Sequence, residues 1–103
     1  MKIEQIIENI KIRETRIQGD PEISSICIDS RKSCPGGLFI AIKGIDNDGH
    51  KYISKAIEAG ICAVVYEDEA YDAVLSQAPG VSAIKVENSR MAAAIIADNF
   101  YDH

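Results

Sequence analysis

Three strand-length segments, separated by stretches with helical periodicity, constrain the fold of this chain more than any other feature of its sequence. They occupy residues 38–42, 62–66 and 82–86, and the first two are continuous apolar runs. Strands that are covered on both faces have such continuous apolar sequences, and strands that alternate with helices form parallel sheets through right-handed crossovers. The sequence therefore predicts a three-layer α/β/α domain with a mostly parallel sheet and helices on both of its faces.

Helical patterns follow each of these segments. A first helix is expected at residues 50–59, where Gly60 is placed to end it, and a second at residues 67–77. A third begins after Asn88 or Ser89, either of which is a suitable N-cap. The residues expected to face the core recur at helical spacing: Ile53, Ala56 and Ile57 in the first helix, Ala70, Val74 and Leu75 in the second, and Ala93, Ile96, Ala97 and Phe100 in the third.

The first third of the chain is less regular. Residues 3–10 repeat isoleucine at helical spacing, residues 12–17 alternate with a period of two, and residues 23–28 form a further strand candidate. These segments allow for an antiparallel strand in the same sheet. A length of 103 residues supports one domain, so the whole chain, residues 1–103, is interpreted as a single domain.

Charge and composition exclude several classes of partner. The formal net charge is −5, whereas a nucleic-acid-binding domain needs a basic face. The apolar stretches are of strand length, too short to span a membrane, and the N-terminus lacks the features of a signal peptide. Cys27, Cys34 and Cys62 match no zinc or redox motif and are expected to be reduced thiols. We therefore expect a cytoplasmic protein without nucleic-acid or membrane partners.

Familiar catalytic and metal-binding motifs do not occur in the sequence. There is neither a P-loop nor a G-x-G-x-x-G fingerprint. A calcium loop with Gly49 at its sixth position would need carboxylates where Gly44 and Lys55 stand. His50 lacks a second ligand at helical spacing, and His103 is the terminal residue. We therefore expect no metal site, no cofactor and no catalytic residue in this segment.

The clearest functional signal comes from two polar loops that follow two strand candidates. One contains Asp29, Ser30 and Arg31, and the other comprises residues 45–49. Ligands of open α/β sheets bind at the carboxyl ends of the strands, and polar loop residues on a rigid scaffold are good functional candidates. The two loops therefore predict a ligand site at one edge of the sheet.

Some of these residues also have structural explanations. Asp29 and Arg31 can pair with each other and hold the corner after the strand. Gly44 and Gly49 are expected either to adopt a positive φ or to allow a close approach of the backbone. Asp48 is expected to begin the helix that follows.

A set of short motifs occurs in a fixed order over about the last three-quarters of the chain. It comprises D-S-R at residues 29–31, P-G-G-L-F-I-A at 35–41, G-x-x-x-D-G-H at 44–50, A-I-x-x-G at 56–60, A-V-V-Y-E at 63–67, V-E-N-S-R at 86–90 and N-F-Y at 99–101. This ordered set closely resembles the N-terminal domain of the Mur ligases, the ATP-dependent amino-acid ligases of peptidoglycan synthesis.

Within that family, D-S-R and the closing F-Y-x-H favour the E-type ligase. The E-type ligase adds diaminopimelate or lysine to UDP-N-acetylmuramoyl-L-alanyl-D-glutamate, and the sequence does not distinguish these two amino acids. The front domain of the F-type ligase, which adds D-alanyl-D-alanine, is the alternative within the family. A free-standing, non-catalytic interaction module of the same fold is the alternative from a different functional class.

The resemblance implies that this domain binds the UDP end of the nucleotide precursor. Carried over position by position, the uridine-contacting residues are Ile28, Ser30, Ile45, Asp46 and Asn47. Ile28 would offer an apolar wall to a flat base, and the Ser30 hydroxyl can both donate and accept a hydrogen bond. Supporting roles are expected for neighbouring residues, namely Asp29, Arg31, Gly44, Asp48, Gly49 and His50.

The resemblance also implies what lies outside this segment. Whole Mur ligases use ATP and Mg²⁺ in a central ATPase domain, and a C-terminal domain selects the incoming amino acid. Neither domain is expected within the 103 residues. The expected partners are therefore the UDP-N-acetylmuramoyl dipeptide and the two other domains of the same cell-wall ligase.

Overall fold

The computed structural model describes residues 1–28 and 34–101 and contains one sheet of five strands. In chain order, these are β1 (Ile12–Arg16), β2 (Ile26–Cys27), β3 (Leu38–Ile40), β4 (Ala63–Tyr66) and β5 (Ser82–Val86). Their order across the sheet is β1-β5-β4-β3-β2. Neighbouring strands are parallel except that β1 runs antiparallel to β5. This arrangement confirms the predicted, mostly parallel sheet with an antiparallel strand from the N-terminal part.

Four α-helices lie within the described residues: α1 (Ile3–Ile6), α2 (Ile53–Glu58), α3 (Asp72–Ser76) and α4 (Ser89–Tyr101). A 3-10 turn precedes both α2 and α3, at Gly49–Tyr52 and Glu69–Tyr71. Each turn begins after an aspartate, Asp48 or Asp68, whose carboxylate accepts a backbone N–H two residues later. These caps satisfy amides that have no partner in the first helical turn.

The helices cover both faces of the sheet, as the three-layer prediction requires. On one face, α1 and α4 pack on the strands; this core contains Ile3, Ile6, Ile23, Leu38, Ile40, Ala63, Val65, Ile84, Val86, Ala92 and Ile96. On the other face, α2 and α3 pack on a second core that includes Phe39, Ala41, Ile53, Ala56, Val64, Tyr66, Leu75 and Ala83. Successive strand residues alternate between the two cores, because side chains along a strand point to opposite faces.

Helix α1 is shorter than its isoleucine pattern predicts. It ends at Ile6, and Asn9 adopts a left-handed conformation with φ of 68°. Asparagine is one of the few residues that tolerate this conformation. The chain turns toward β1 at this residue. Ile7 and Ile10 still pack against the α1/α4 core, although they lie outside the helix.

Helix α4 buries a face that differs from the predicted one. Ala97 is exposed, whereas Asn99 is buried. The Asn99 side-chain amide donates to the carbonyl oxygens of Ile6 at 2.8 Å and Glu8 at 3.0 Å. These carbonyls lie at the end of α1, where the helix itself supplies no donors, so a buried polar side chain is favoured there.

The parallel direction of β2, β3, β4 and β5 brings their carboxyl ends to one edge of the sheet. Ile28, the loop at residues 41–48, Glu67 and the start of α4 follow these ends. Within the described parts of the chain, no helix has the length and apolar character needed to cross a membrane.

Candidate functional site

An open cleft of about 390 Å³ lies at the edge where the parallel strands end. We call it the loop cleft. Its lining consists of Ile28, Ile42, Gly44, Asn47, Gly49, Tyr52 and Arg90. Ile28 directly follows β2, the 41–48 loop follows β3, and Arg90 lies in the first turn of α4. The cleft therefore combines segments that are far apart in sequence, and its volume falls in the range of small-molecule sites.

The structure brings part of the predicted site together. Ile28 and Asn47 line the same cleft, although they follow different strands. Ile45 is 96% exposed and Asp46 is also exposed, and neither belongs to the cleft lining. The remaining predicted contact, Ser30, lies outside the described residues, as do the predicted supporting residues Asp29 and Arg31.

Gly44 and Gly49 permit a close approach of backbone segments. A Cβ atom on Gly44 would lie 2.4 Å from the carbonyl oxygen of Asn47. A Cβ atom on Gly49 would lie 2.9 Å from the backbone nitrogen of Ile42. Of the two explanations considered for these glycines, close approach is thus the correct one, and neither has a positive φ.

His50 is fully buried behind the 41–48 loop. Its Nε2 accepts the backbone N–H groups of Glu67 at 3.0 Å and Asp68 at 3.2 Å. Because Nε2 accepts hydrogen bonds, the ring proton is assigned to Nδ1, which donates to the Asp48 carboxylate at 2.7 Å. The neutral imidazole thereby connects the end of the loop to the residues that follow β4.

Asp48 accepts two hydrogen bonds from the same residue. Its Oδ1 also receives the backbone N–H of His50 at 3.0 Å. Partial burial alone would raise the pKa of the Asp48 carboxyl, but the two hydrogen bonds from His50 hold this pKa below its ordinary value. The predicted role of Asp48 at the start of the helical segment is confirmed, since it caps the 3-10 turn that leads into α2.

A second buried network holds the beginning of the loop. The backbone N–H of Lys43 donates to the hydroxyl of Ser89 at 3.0 Å. That hydroxyl donates in turn to Oε1 of Glu67 at 2.6 Å, and the same oxygen accepts the Ser89 backbone N–H at 2.9 Å. Ser89 is fully buried, so its hydroxyl uses both its donor and its acceptor capacity inside the protein.

Three lining residues, Ile42, Tyr52 and Arg90, were missed by the sequence prediction. Arg90 is exposed at the start of α4, and Tyr52 is half-buried at the end of the 3-10 turn. The signal for Arg90 was present in the sequence, because V-E-N-S-R follows a parallel strand and so ends at the same sheet edge. No comparable signal pointed to Tyr52, whose place in the cleft depends on the path of the loop before it.

A second cleft, the β1 cleft, has a volume of about 380 Å³ and lies beside β1 and α3. Its lining comprises Glu14, Thr15, Arg16, Tyr66, Asp72, Leu75, Ser76 and Ala83. The Tyr66 hydroxyl donates to Asp72 at 2.6 Å, and the Lys85 ammonium donates to Asp72 at 2.9 Å. Lys85 also lies 3.6 Å from the carboxylate of Glu14.

These contacts shift the pKa values of Tyr66 and Asp72 in the β1 cleft. Burial, together with the Asp72 carboxylate, raises the pKa of Tyr66 well above its ordinary value. The hydrogen bonds from Tyr66 and Lys85 lower the pKa of Asp72. The guanidinium of Arg16 donates to the carbonyl oxygens of Leu75 and Val81, around the end of α3. Tyr66 and Asp72 thus bind each other, whereas Arg16 binds backbone carbonyls and its buried Nε has no hydrogen-bond partner within the described part of the chain.

Across residues 1–28 and 34–101, no cluster of three or more His, Cys, Asp or Glu side chains is arranged to hold a metal ion.

An α/β domain with a cleft at the carboxyl ends of its parallel strands has the architecture of a ligand-binding domain. Residues 22–101 match the sequence model of a family described as "Mur ligase family, catalytic domain". The chain therefore belongs to the Mur ligase family, as its ordered motifs predicted.

Individual relatives agree with this assignment. The chain is 41% identical over all of its 103 residues to the UDP-N-acetylmuramyl-tripeptide synthetase of Roseiflexus sp. (strain RS-1), of which it covers 19%. It is 42% identical over 101 residues, 96% of its length, to the UDP-N-acetylmuramoyl-L-alanyl-D-glutamate–2,6-diaminopimelate ligase of Caldanaerobacter subterraneus subsp. tengcongensis, covering 20% of it. The enzyme of the same name from Clostridioides difficile (strain 630) is 40% identical over the whole chain and is also covered to 20%.

These names confirm the predicted resemblance to the E-type ligase. The chain spans about a fifth of the length of these curated relatives.

Solved structures support the fold. The chain resembles MurF from Acinetobacter baumannii with a TM-score of 0.61 and 24% sequence identity. This similarity covers 80% of the present chain and 16% of that protein. At this level of identity the likeness establishes the α/β fold and carries no information about the ligand.

Proposed function

We propose that this chain is the N-terminal domain of an E-type Mur ligase and that it binds the UDP end of UDP-N-acetylmuramoyl-L-alanyl-D-glutamate in the loop cleft. The supporting observation is the position of Ile28 and Asn47, which follow different strands and line one cleft. The motifs that carry the family resemblance include the loops that form this cleft.

The chemistry of the loop cleft suits a uridine. Ile28 and the ring of Tyr52 are apolar surfaces of the kind on which a flat base can pack. Gly44 and Gly49 let the loop backbone fold closely on itself, and backbone amides of such a loop can recognise uracil and ribose edges. Asn47 adds a side-chain amide that both donates and accepts. The resemblance adds the hydroxyl of Ser30 as a further contact to the uridine.

The diphosphate requires positive charge, and Arg90 provides it. The guanidinium belongs to the lining of the loop cleft and is exposed to solvent. Arginine binds phosphate through several N–H donors, which adds directionality to the charge. We therefore place the uracil toward Ile28 and Tyr52 and the diphosphate toward Arg90.

The described residues are assigned a binding role without a catalytic step. In the whole cytoplasmic enzyme, ATP and Mg²⁺ would act in the central domain, where the D-glutamate carboxylate becomes an acyl phosphate that the incoming amine attacks. Binding the remote UDP group restricts the position of the reacting end and so contributes to the rate. The partners proposed for this chain are accordingly the nucleotide precursor and the other domains of the same ligase.

The assignment can be tested by steady-state kinetics on a ligase that carries this chain as its first domain. Ser30→Ala should raise the KM for the nucleotide substrate severalfold, since a hydrogen bond to the uridine is lost, and leave the KM for ATP nearly unchanged. Ser54→Ala, at an exposed position on α2, is the matched control and should change neither value. An equal rise in both KM values for Ser30→Ala would contradict the assignment.

Calorimetry on the 103-residue chain separates the alternatives. UDP should bind weakly, because the rest of the precursor would contact other domains. Sub-micromolar affinity for UDP would contradict this expectation. Complete absence of UDP binding would instead favour the free-standing interaction module. The F-type alternative is less favoured, since the relatives that match nearly the whole chain have names of E-type ligases.

A further inference from the structure

Two residues of the family-like motifs, Glu67 in A-V-V-Y-E and Ser89 in V-E-N-S-R, have no role in the function proposed above. Neither belongs to the lining of the loop cleft. Ser89 nevertheless accepts the backbone N–H of Lys43, and the backbone N–H of Glu67 donates to the His50 side chain. Lys43 and His50 are sequence neighbours of the lining residues Ile42, Gly44 and Gly49, and Glu67 and Ser89 reach them from positions after β4 and β5.

Glu67 is connected to both ends of the 41–48 loop. At the beginning of the loop, its carboxylate accepts the Ser89 hydroxyl at 2.6 Å, and this hydroxyl accepts the Lys43 amide at 3.0 Å. At the end of the loop, the Glu67 backbone N–H donates to the buried Nε2 of His50 at 3.0 Å. Through Ser89 and His50, one residue is thus linked to both ends of the loop.

The loop is short and its two ends lie close together. The Gly49 amide donates to the Ile42 carbonyl at 2.8 Å, and Gly44 lies against the Asn47 carbonyl. A shift of Lys43 relative to Gly49 would therefore change where the Asn47 side chain lies. Because protein sites need groups held within about 0.5 Å of their productive positions, such a shift would weaken ligand binding.

We propose that Glu67, acting through Ser89, is a positioning residue that sets the conformation of the 41–48 loop for nucleotide recognition. This inference rests on the proposed function, since it assumes that the loop cleft binds the UDP group. Glu67 does not contact the ligand, and its effect is transmitted through the hydroxyl of Ser89 to the Lys43 amide.

The test compares Glu67→Leu with Glu67→Gln in the 103-residue chain, with UDP as the probe. Gln keeps the length of the side chain and an Oε1 that accepts both hydrogen bonds from Ser89, so it should bind UDP within about twofold of the wild type. Leu has no acceptor, so its dissociation constant for UDP should rise about tenfold. Glu58→Leu, at an exposed position on α2, removes the same charge and should have no effect.

Amide hydrogen exchange distinguishes positioning from a general loss of stability. In Glu67→Leu, exchange at Lys43 should become faster by about tenfold or more, because its acceptor Ser89 is no longer fixed. Exchange at the His50 amide should stay unchanged, since its acceptor is the Asp48 carboxylate, which the substitution leaves in place. If Glu67 only stabilised the fold as a whole, exchange would become faster at both of these amides and also at the amides of the sheet.

Ser89→Ala provides a second route if Glu67→Leu fails to fold. It removes the acceptor of the Lys43 amide directly and should produce the same pattern of exchange and the same loss of UDP affinity. Equal UDP affinity in the Leu and Gln variants at position 67, or uniform acceleration of exchange, would overturn the positioning role while leaving the proposed function intact. Failure of the wild-type chain to bind UDP would overturn the proposed function, and the exchange pattern would still decide whether Glu67 holds the loop.

Discussion

The loop cleft and the β1 cleft have nearly the same volume, about 390 and 380 Å³, yet their polar groups are used differently. In the β1 cleft, the lining residue Asp72 accepts hydrogen bonds from Tyr66 and from Lys85. At the loop cleft, the paired side chains lie behind the loop, and its surface presents glycines, Asn47 and the exposed Arg90.

Volume alone therefore does not identify a ligand site. Polar groups that are satisfied internally stabilise the fold, and a ligand that replaced one of these contacts would have to compensate for its loss. A ligand site instead needs an internal network that fixes the backbone and, in front of it, polar groups that remain exposed. We expect substitutions in the loop cleft to change binding, and substitutions in the β1 cleft to change stability only.

Gly44→Ala should have the largest effect. Its Cβ would lie 2.4 Å from the backbone carbonyl of Asn47, so the loop must change its conformation. We expect the free energy of unfolding to fall by about 2 kcal/mol and the dissociation constant for UDP to rise at least tenfold. Urea denaturation and calorimetry measure these quantities.

The matched control for this substitution is Gly80→Ala. A Cβ at Gly80 meets nothing within 4 Å, so its free energy of unfolding should change by less than about 0.5 kcal/mol. Wild-type affinity for UDP in Gly44→Ala would show that the loop conformation is not required for binding.

Tyr66→Phe should affect stability without affecting binding. The substitution removes the hydroxyl that donates to Asp72 at 2.6 Å and keeps the ring in the core. The free energy of unfolding should fall by about 1 kcal/mol, as measured by urea denaturation. The dissociation constant for UDP should stay within twofold of the wild-type value. A larger change would mean that the β1 cleft takes part in ligand binding.

Arg90→Ala should affect binding without affecting stability. Loss of the guanidinium should weaken UDP binding severalfold, because the charge that faces the diphosphate is removed. Uridine, which lacks phosphate, should bind with unchanged affinity, and Arg90→Lys should recover part of the loss. Calorimetry with both ligands tests this. Equal weakening for UDP and uridine would assign Arg90 to the base instead of the diphosphate.

The pH dependence of stability should show the smallest effect, and it should arise in the β1 cleft. The pKa of Asp72 in the folded chain lies below its ordinary value of 3.8. Its contribution is therefore fully present above pH 3.8 and is lost as the pH falls through the lower folded value. The stability difference between the wild type and Asp72→Asn should shrink below pH 3.8 in urea denaturation series. A difference that grows on acidification would contradict the assigned ion pair.

The alternation of strands and helices from β3 to α4 could be predicted from the sequence, because its signals are local. The strand at residues 82–86 was predicted with its observed bounds, and the caps at Gly60 and Asn88 follow from local preferences. The end of α1 was not predictable from spacing, since the isoleucine pattern continues past the left-handed residue Asn9. The periodicity indicates which side chains are buried but does not indicate where the helix ends.

Burial of polar residues was the part that sequence reasoning could not supply. Asn99 is buried because it reaches carbonyls more than 90 positions away in the chain, and His50 is buried because the backbone N–H groups that donate to its ring lie 17 and 18 positions away. Such partners are set by tertiary structure. The same holds for the candidate site. Strand order indicates the sheet edge at which the loop cleft lies, but the exposure of Ile45 and the place of Tyr52 depend on the exact path of the loop.

Titration of UDP into the isotope-labelled chain, followed by amide chemical shifts, tests the central difference between the two clefts most directly. We predict that the amides of Ile28, residues 44–49, Tyr52 and Arg90 shift with one common saturation curve, while those of Glu14, Tyr66 and Asp72 do not move. Shifts centred on the β1 cleft, or no shifts at millimolar UDP, would contradict the account.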